Sequence, residues 1–138
     1  MSYKETYKWN PETGEAMAIL TDTKTGKTFL GEAICHPGDR EHMSEYTGID
    51  IADMRARLNI LRDIRDSEIK PQLKTMKHLY CNMKTNKLYN PRSYEARMVR
   101  RQYYFLQGNL KTIQDLINEY KTYIKSRGNL SANLDKNK

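Results

Sequence analysis

The chain has 138 residues, of which 30% are charged and 38% hydrophobic, and its mean hydropathy is −0.88. That composition excludes a thick single core and predicts an elongated protein built around a narrow apolar seam. No run approaches the roughly 18 apolar residues that a bilayer requires, and Met1-Ser2-Tyr3-Lys4 opens no signal peptide, so the expected location is the cytoplasm, with no membrane partner. The net charge of +7 is unevenly spread. Residues 1–69 hold 9 Lys/Arg against 13 Asp/Glu, whereas residues 70–127 hold 13 against 3. Segregation of this kind points to one half of the chain meeting a polyanion, with a solvated basic surface as the alternative.

Polar and aromatic residues alternate from Tyr3 to Trp9, as in a half-buried strand. Asn10-Pro11-Glu12-Thr13-Gly14 carries turn chemistry, and Ala16–Leu20 reads as a second strand. A second turn at Asp22–Lys27 leads into a third strand over Thr28–Cys35. Connections this short make the three strands an antiparallel meander, with the helix that follows covering one face. His36, Asp39 and His42 fall three apart. Pro37 and Gly38 interrupt them and no fourth ligand stands out, so a strand-to-helix turn shaped by Asp39 is expected rather than a metal site. Cys35 and Cys81 lie in no ligand spacing and are expected as buried thiols.

Gly31-x-Ala33-x-Cys35-x-Pro37-x-Asp39, followed by Gly48-x-x-x-Ala52-x-x-Arg55-Ala56, resembles a pattern in small uncharacterised phage proteins. It is also similar to bacterial domains whose β-β-β-α unit resembles the double-stranded-RNA-binding fold. The resemblance implies that Gly31 and Ala33 let the helix approach the sheet closely. Gly48 would then set the start of that helix, and Ala52 and Ala56 would face the sheet. Two features depart from the RNA-binding fold: no helix precedes the strands, and the helix opens Gly48-Ile49-Asp50-Ile51-Ala52-Asp53, whose acids repel phosphate. Duplex-RNA binding by this head is therefore not expected.

Helical periodicity runs from Ile49 to about Lys84, through Ile51, Met54, Leu58 and Leu61 and then Ile69, Leu73, Met76, Tyr80 and Met83. Pro71 predicts a kink or restart near Lys70. After a loop at 85–89, Asn90-Pro91 reads as N-cap and first helical residue. A matching stripe follows at Val99, Tyr103, Leu106, Leu110, Ile113, Ile117, Tyr120 and Ile124, and Gly128 marks the end. Folding about 87–88 brings apolar positions together: Met76 with Val99, Ile69 with Leu106, Leu58 with Ile117, Ile51 with Ile124. The expected architecture is α+β: a three-stranded antiparallel meander packed on the base of a long antiparallel helical hairpin. The head spans 1–48 and the hairpin 49–127, its helix 49–65 shared with the head, and a flexible tail 128–138. Dimerisation through the same seam is the alternative to the intrachain hairpin.

Cations and aromatics then cluster along the hairpin. Lys74, Lys77, Lys84, Lys87, Tyr89, Arg92, Tyr94, Arg97, Arg100, Arg101 and Tyr104 are the candidate binding residues, with cations to neutralise a backbone and tyrosines to stack on bases. The same residues fit a host nucleic-acid-binding protein, since Arg and Tyr dominate interface hot spots. No Gly-rich phosphate loop, HExxH pattern or nucleophile elbow occurs. Asp50 with Asp53, and Asp63 with Asp66, are interleaved with arginines and suggest ion pairing. His78 suggests a solvated or packing role. No enzyme activity, cofactor or metal is expected. The expected function is that of a phage-type accessory protein whose basic hairpin binds nucleic acid or a host nucleoprotein, for instance as an inhibitor of a CRISPR effector. The alternative is an assembly or virion protein that uses the hairpin to oligomerise.

Overall fold

A computed structural model describes residues 2–34 and 44–136, with side chains as far as Arg127. Strands β1 (Tyr3–Asn10), β2 (Glu15–Asp22) and β3 (Thr28–Ile34) form one antiparallel sheet in the order β1-β2-β3. Helix α1 (Glu45–Ile64) passes through a π-helical turn (Arg65–Ile69) into α2 (Lys70–Thr85), and α3 covers Tyr94–Lys136. The chain divides into two units. The first combines Met1–Leu61 with Ile117–Lys138, and the second is Arg62–Leu116.

In the first unit both strand connections turn on glycine. Gly14 (φ 72°) and Gly26 (φ 74°) adopt the positive φ that other residues avoid, closing bonds to the carbonyls of Asn10 and Asp22. The register opposes Trp9 to Ala16 and Ala33, and Tyr7 to Ala18 and Gly31. Alternation therefore puts Trp9, Ala16, Ala18, Leu20, Gly31 and Ala33 on one face of the sheet, against α1. Ala18, Leu20, Ala52 and Ala56 have no measurable exposure. A methyl group on Gly31 would collide with the Ala52 carbonyl oxygen and the Ala56 amide, so helix backbone rests directly on strand backbone. Gly48 lies inside the first turns of α1 and fits beneath the Trp9 ring rather than marking the start of the helix.

Polar side chains of α1 secure the margins of the sheet. Arg55 donates to the Glu32 carbonyl (2.6 Å) and Asn59 to the Leu30 carbonyl (2.8 Å), so helix side chains occupy part of the free edge of β3. Above β1, Arg57 pairs with Glu5 (2.8 Å) and Asp53 (2.9 Å). The Tyr7 hydroxyl donates to Asp53 (2.9 Å). Partial burial, with the Asp53 charge adding to it, pushes the Tyr7 hydroxyl up to about 12. The other flank of α1 meets α3. Ile51, Leu58 and Ile117 are buried, and Asp50 accepts from Tyr123 (2.9 Å) and pairs with Arg127 (3.2 Å).

The second unit holds the remainder of both helical arms. Every seam residue named from the periodicity is buried or half-buried, with Leu106 and Ile113 the deepest. The arms are antiparallel: the Tyr80 and Tyr103 rings meet edge to face, and Arg65 donates to Gln114. The restart near Lys70 takes the form of the π turn, in which the Lys70 amide reaches the Arg65 carbonyl just ahead of Pro71, a residue with no amide to give.

Four expectations need correction. Helix α3 does not begin at Pro91. Ser93 is the cap, its hydroxyl accepting from the Ala96 amide (3.2 Å), while Asn90 accepts from the Arg92 amide (3.0 Å) in a local turn. The connection is therefore longer and centred nearer residue 90. The register in this unit moves by about one turn at Arg65 and about two at Tyr80, although Asp50 keeps the partners that a fold about 87–88 gives it. Gly128 does not end α3, which carries on to Lys136, since one interior glycine costs only about 1 kcal/mol. Cys81 is exposed rather than buried, because α2 has a neighbour on one side only. His36, Asp39, His42 and Cys35 lie outside the described residues.

Gly31→Val should destabilise the protein by about 3 kcal/mol, because the clash is with backbone that cannot swing aside. Gly108→Ala, in an exposed stretch of α3 where an added methyl meets nothing within 4 Å, should stabilise it by about 0.5–1 kcal/mol. Urea denaturation followed by circular dichroism measures both.

Candidate functional site

The division into units sharpens the charge asymmetry. The first unit contains 12 Lys/Arg and 12 Asp/Glu and is neutral, while the second contains 12 against 5, so the whole +7 belongs to residues 62–116. The described cations also differ in what they touch. Arg57, Arg65 and Arg127 all lie against carboxylates, and Lys70 reaches Asp66 at 3.5 Å. Lys74, Lys77, Lys84, Lys87, Arg92, Arg97, Arg100 and Arg101 form no ion pair among the described residues.

Helix geometry decides which of these residues share a face. At about 100° per residue, Lys70, Lys74, Lys77, Cys81 and Lys84 form one stripe along α2, beside its seam. On α3 the matching flank carries Arg97, Arg100, Tyr104 and Lys111. Lys84 ties the two flanks together. Its ammonium lies 4.0 Å from the centre of the Tyr80 ring, and Tyr80 meets Tyr103, which meets Tyr104 (5.6 Å in each case). The Tyr80 hydroxyl, and more weakly those of Tyr89 and Tyr104, hold the Lys84 ammonium above its ordinary pKa. Lys84 thus sits among three tyrosines as a fixed cation. Tyr104 keeps 56% of its surface exposed.

Of the eleven residues predicted from sequence, Lys74, Lys77, Lys84, Arg97, Arg100 and Tyr104 fall on this one face. Lys87, Tyr89 and Arg92 belong to the connection between α2 and α3, where Tyr89 is half-buried and donates its amide to Asn86. Tyr94 and Arg101 are exposed but project from the far side of α3 by helical phase. Lys111 escaped the sequence reading, although its seven-residue spacing from Tyr104, itself seven from Arg97, repeats the same phase. The aromatic platform under Lys84 was also hidden, because Tyr80 and Tyr103 read simply as seam residues.

Among the described residues no group of three or more His, Cys, Asp or Glu could hold a metal ion, and no helix is long and apolar enough to cross a membrane. His78 is exposed and bonded to Asn82 (3.1 Å) on the neighbouring face of α2. Asp63 accepts from Ser67, and Asp66 is held below its ordinary pKa by Arg65. No known protein family, curated protein or solved structure matches the chain.

Tyr80→Leu retains bulk in the seam but removes the edge-to-face pair and the Lys84 platform. Hydrogen exchange should show amides of residues 74–106 opening about 0.5–1.5 kcal/mol more readily, with strand amides unchanged. Ser93→Ala should lower stability by about 1 kcal/mol in urea denaturation, through loss of the α3 cap.

Proposed function

We propose that the protein is a non-enzymatic nucleic-acid-binding accessory protein of the phage type, and that it binds through the basic face of residues 70–111. One observation carries this reading. Exposed lysines and arginines unopposed by carboxylates converge on a face that also presents the Tyr104 ring. Cations at successive helical turns match a polyphosphate backbone, and an open aromatic ring among them offers base stacking.

The same charge separates nucleic acid from a protein target. A host protein's nucleic-acid groove is itself cationic and repels a basic face at the distances of direct contact. An inhibitor of a defence nuclease such as a CRISPR effector, acting through this surface, would therefore engage the guide or target strand and not the emptied groove. The exposed ring favours single-stranded or looped nucleic acid, whose bases are free to stack, over a closed duplex.

Fluorescence anisotropy with labelled single-stranded and duplex oligonucleotides over a salt series tests the proposal. Wild type should bind the single strand more tightly, with log K falling linearly in log salt. Each of Lys77→Glu, Lys84→Glu and Arg100→Glu should lower that slope by about 0.7 or more. Tyr104→Ala should cost about 1–3 kcal/mol of affinity and leave the slope unchanged. A protein with no salt-dependent affinity for either oligonucleotide would falsify the reading.

A further inference from the structure

The charge of the second unit is itself divided along its length. Its five acids are Asp63, Asp66, Glu68, Glu95 and Asp115, so residues 69–94 and 96–114 contain none. Those two stretches hold ten of the unit's twelve lysines and arginines, all but Arg62 and Arg65. The hydrogen bond from Arg65 to Gln114 (3.0 Å) sets Asp66 and Asp115 at about one level of the helical pair. Each stands where a cation row stops. Asp66 lies one turn before Lys70 and pairs with it (3.5 Å). Asp115 lies one turn beyond Lys111, in the helical phase of Arg97, Tyr104 and Lys111. Glu95 falls about half a turn round α3 from that flank. In the other direction the rows meet no acid before the connection at 86–93, where both helices end.

Resting on the nucleic-acid reading above, we infer that this face is a track of fixed length. It takes a single-stranded segment of about six nucleotides, a loop or a strand end, laid along the helical pair and stopped by Asp66 and Asp115. From Lys70 to Lys84 the α2 row measures about 21 Å. The Tyr80–Tyr103 contact puts Lys84 level with about Arg100, so the α3 row covers much the same span. A stacked strand rises about 3.4 Å per nucleotide, which fits about six nucleotides to that length. A strand prolonged past Lys111 would press its phosphates on the Asp115 carboxylate, which forms no ion pair among the described residues. Past Lys70 it would meet Asp66. Lys70 is already held there, leaving Lys74, Lys77, Lys84, Arg97, Arg100 and Lys111 to contact phosphates. At about 0.7 each, they give a salt slope near about −4, and Lys87 and Arg92 bring it to no more than about −6.

Displacement of a labelled oligothymidylate hexamer by unlabelled oligothymidylates of about 3 to about 24 nucleotides, each in excess over protein and over a salt series, tests this. Overlapping registers on a long strand multiply K but leave its salt slope alone, so the slope counts the phosphates under one protein. For wild type it should steepen up to about six nucleotides and stay constant beyond, between about −4 and −6. Asp115→Lys should steepen that constant value by about 0.7 or more, whereas Glu95→Lys, the same change of charge on another flank, should leave it unchanged. Circular dichroism checks that both variants keep their helicity, and the wild-type length series decides the matter should either unfold. A slope that goes on growing to the longest strand overturns the inference while leaving nucleic-acid binding in place. Equal effects of the two folded variants do the same. Failure to bind at any length overturns the reading of function and the inference with it.

Discussion

The contact of Gly31 with Ala52 and Ala56 is the constraint on which the sheet-bearing unit rests. A three-stranded sheet with alanine and glycine at the centre of its inner face buries little on its own. It gains a core only if a helix comes near enough for backbone to touch backbone, which demands the absence of a side chain at 31 and methyl groups at 52 and 56. Once α1 is held that close, its polar residues come within reach of the sheet margins, and Arg55, Asn59, Arg57 and Asp53 find partners there. The flank of α1 that carries Ile51 and Leu58 is then free for α3. One missing methyl group thus governs both faces of a helix.

Net charge separates the two units: the first is neutral and the second carries +7. Beside the sheet Arg57 pairs with Glu5 and Asp53, and the region is neutral as a whole. Along residues 74–111 the cations lack such partners among the described residues, although acids placed four residues away would have neutralised them, as Asp66 does for Lys70. Exposed ion pairs contribute little stability, so their absence costs the fold little. It does leave like charges within a Debye length of one another, a mutual repulsion that only a polyanion or high salt relieves.

Much of this arrangement was legible in the sequence because it depends on period. Alternation marked the first strand, the resemblance at Gly31 and Ala33 implied the close approach of the helix, and every residue named from the steps of three and four is buried or half-buried, although buried Ala96 was not among them. What stayed hidden depends on chain direction and on surroundings. A fold point at 87–88 follows from reading Asn90-Pro91 as a helix start, which is locally sound. Ser93 competes for the same role three residues later, and its hydroxyl bonds the Ala96 amide. Each residue by which the turn moves shifts the pairing by two, and so the register near Tyr80 could not be inferred from apolar matching alone. Cys81 was assigned to the interior on the average behaviour of its residue type, whereas a two-helix layer has scarcely any interior to offer. The aromatic cluster beneath Lys84 required knowing which tyrosines face one another across the seam.

The two faces of the second unit are best understood together. A helical pair whose core is one residue deep is marginal, and an uncompensated +7 makes it more so. Covering the exposed Leu79, Met98, Phe105 and Leu116 would add burial where the unit most lacks it. Binding a polyanion on the other side removes the repulsion between cations. Because any ligand that prefers the folded state stabilises it, each event strengthens the scaffold on which the other depends. Cations and exposed apolar side chains are thus segregated to opposite faces of one thin helical pair.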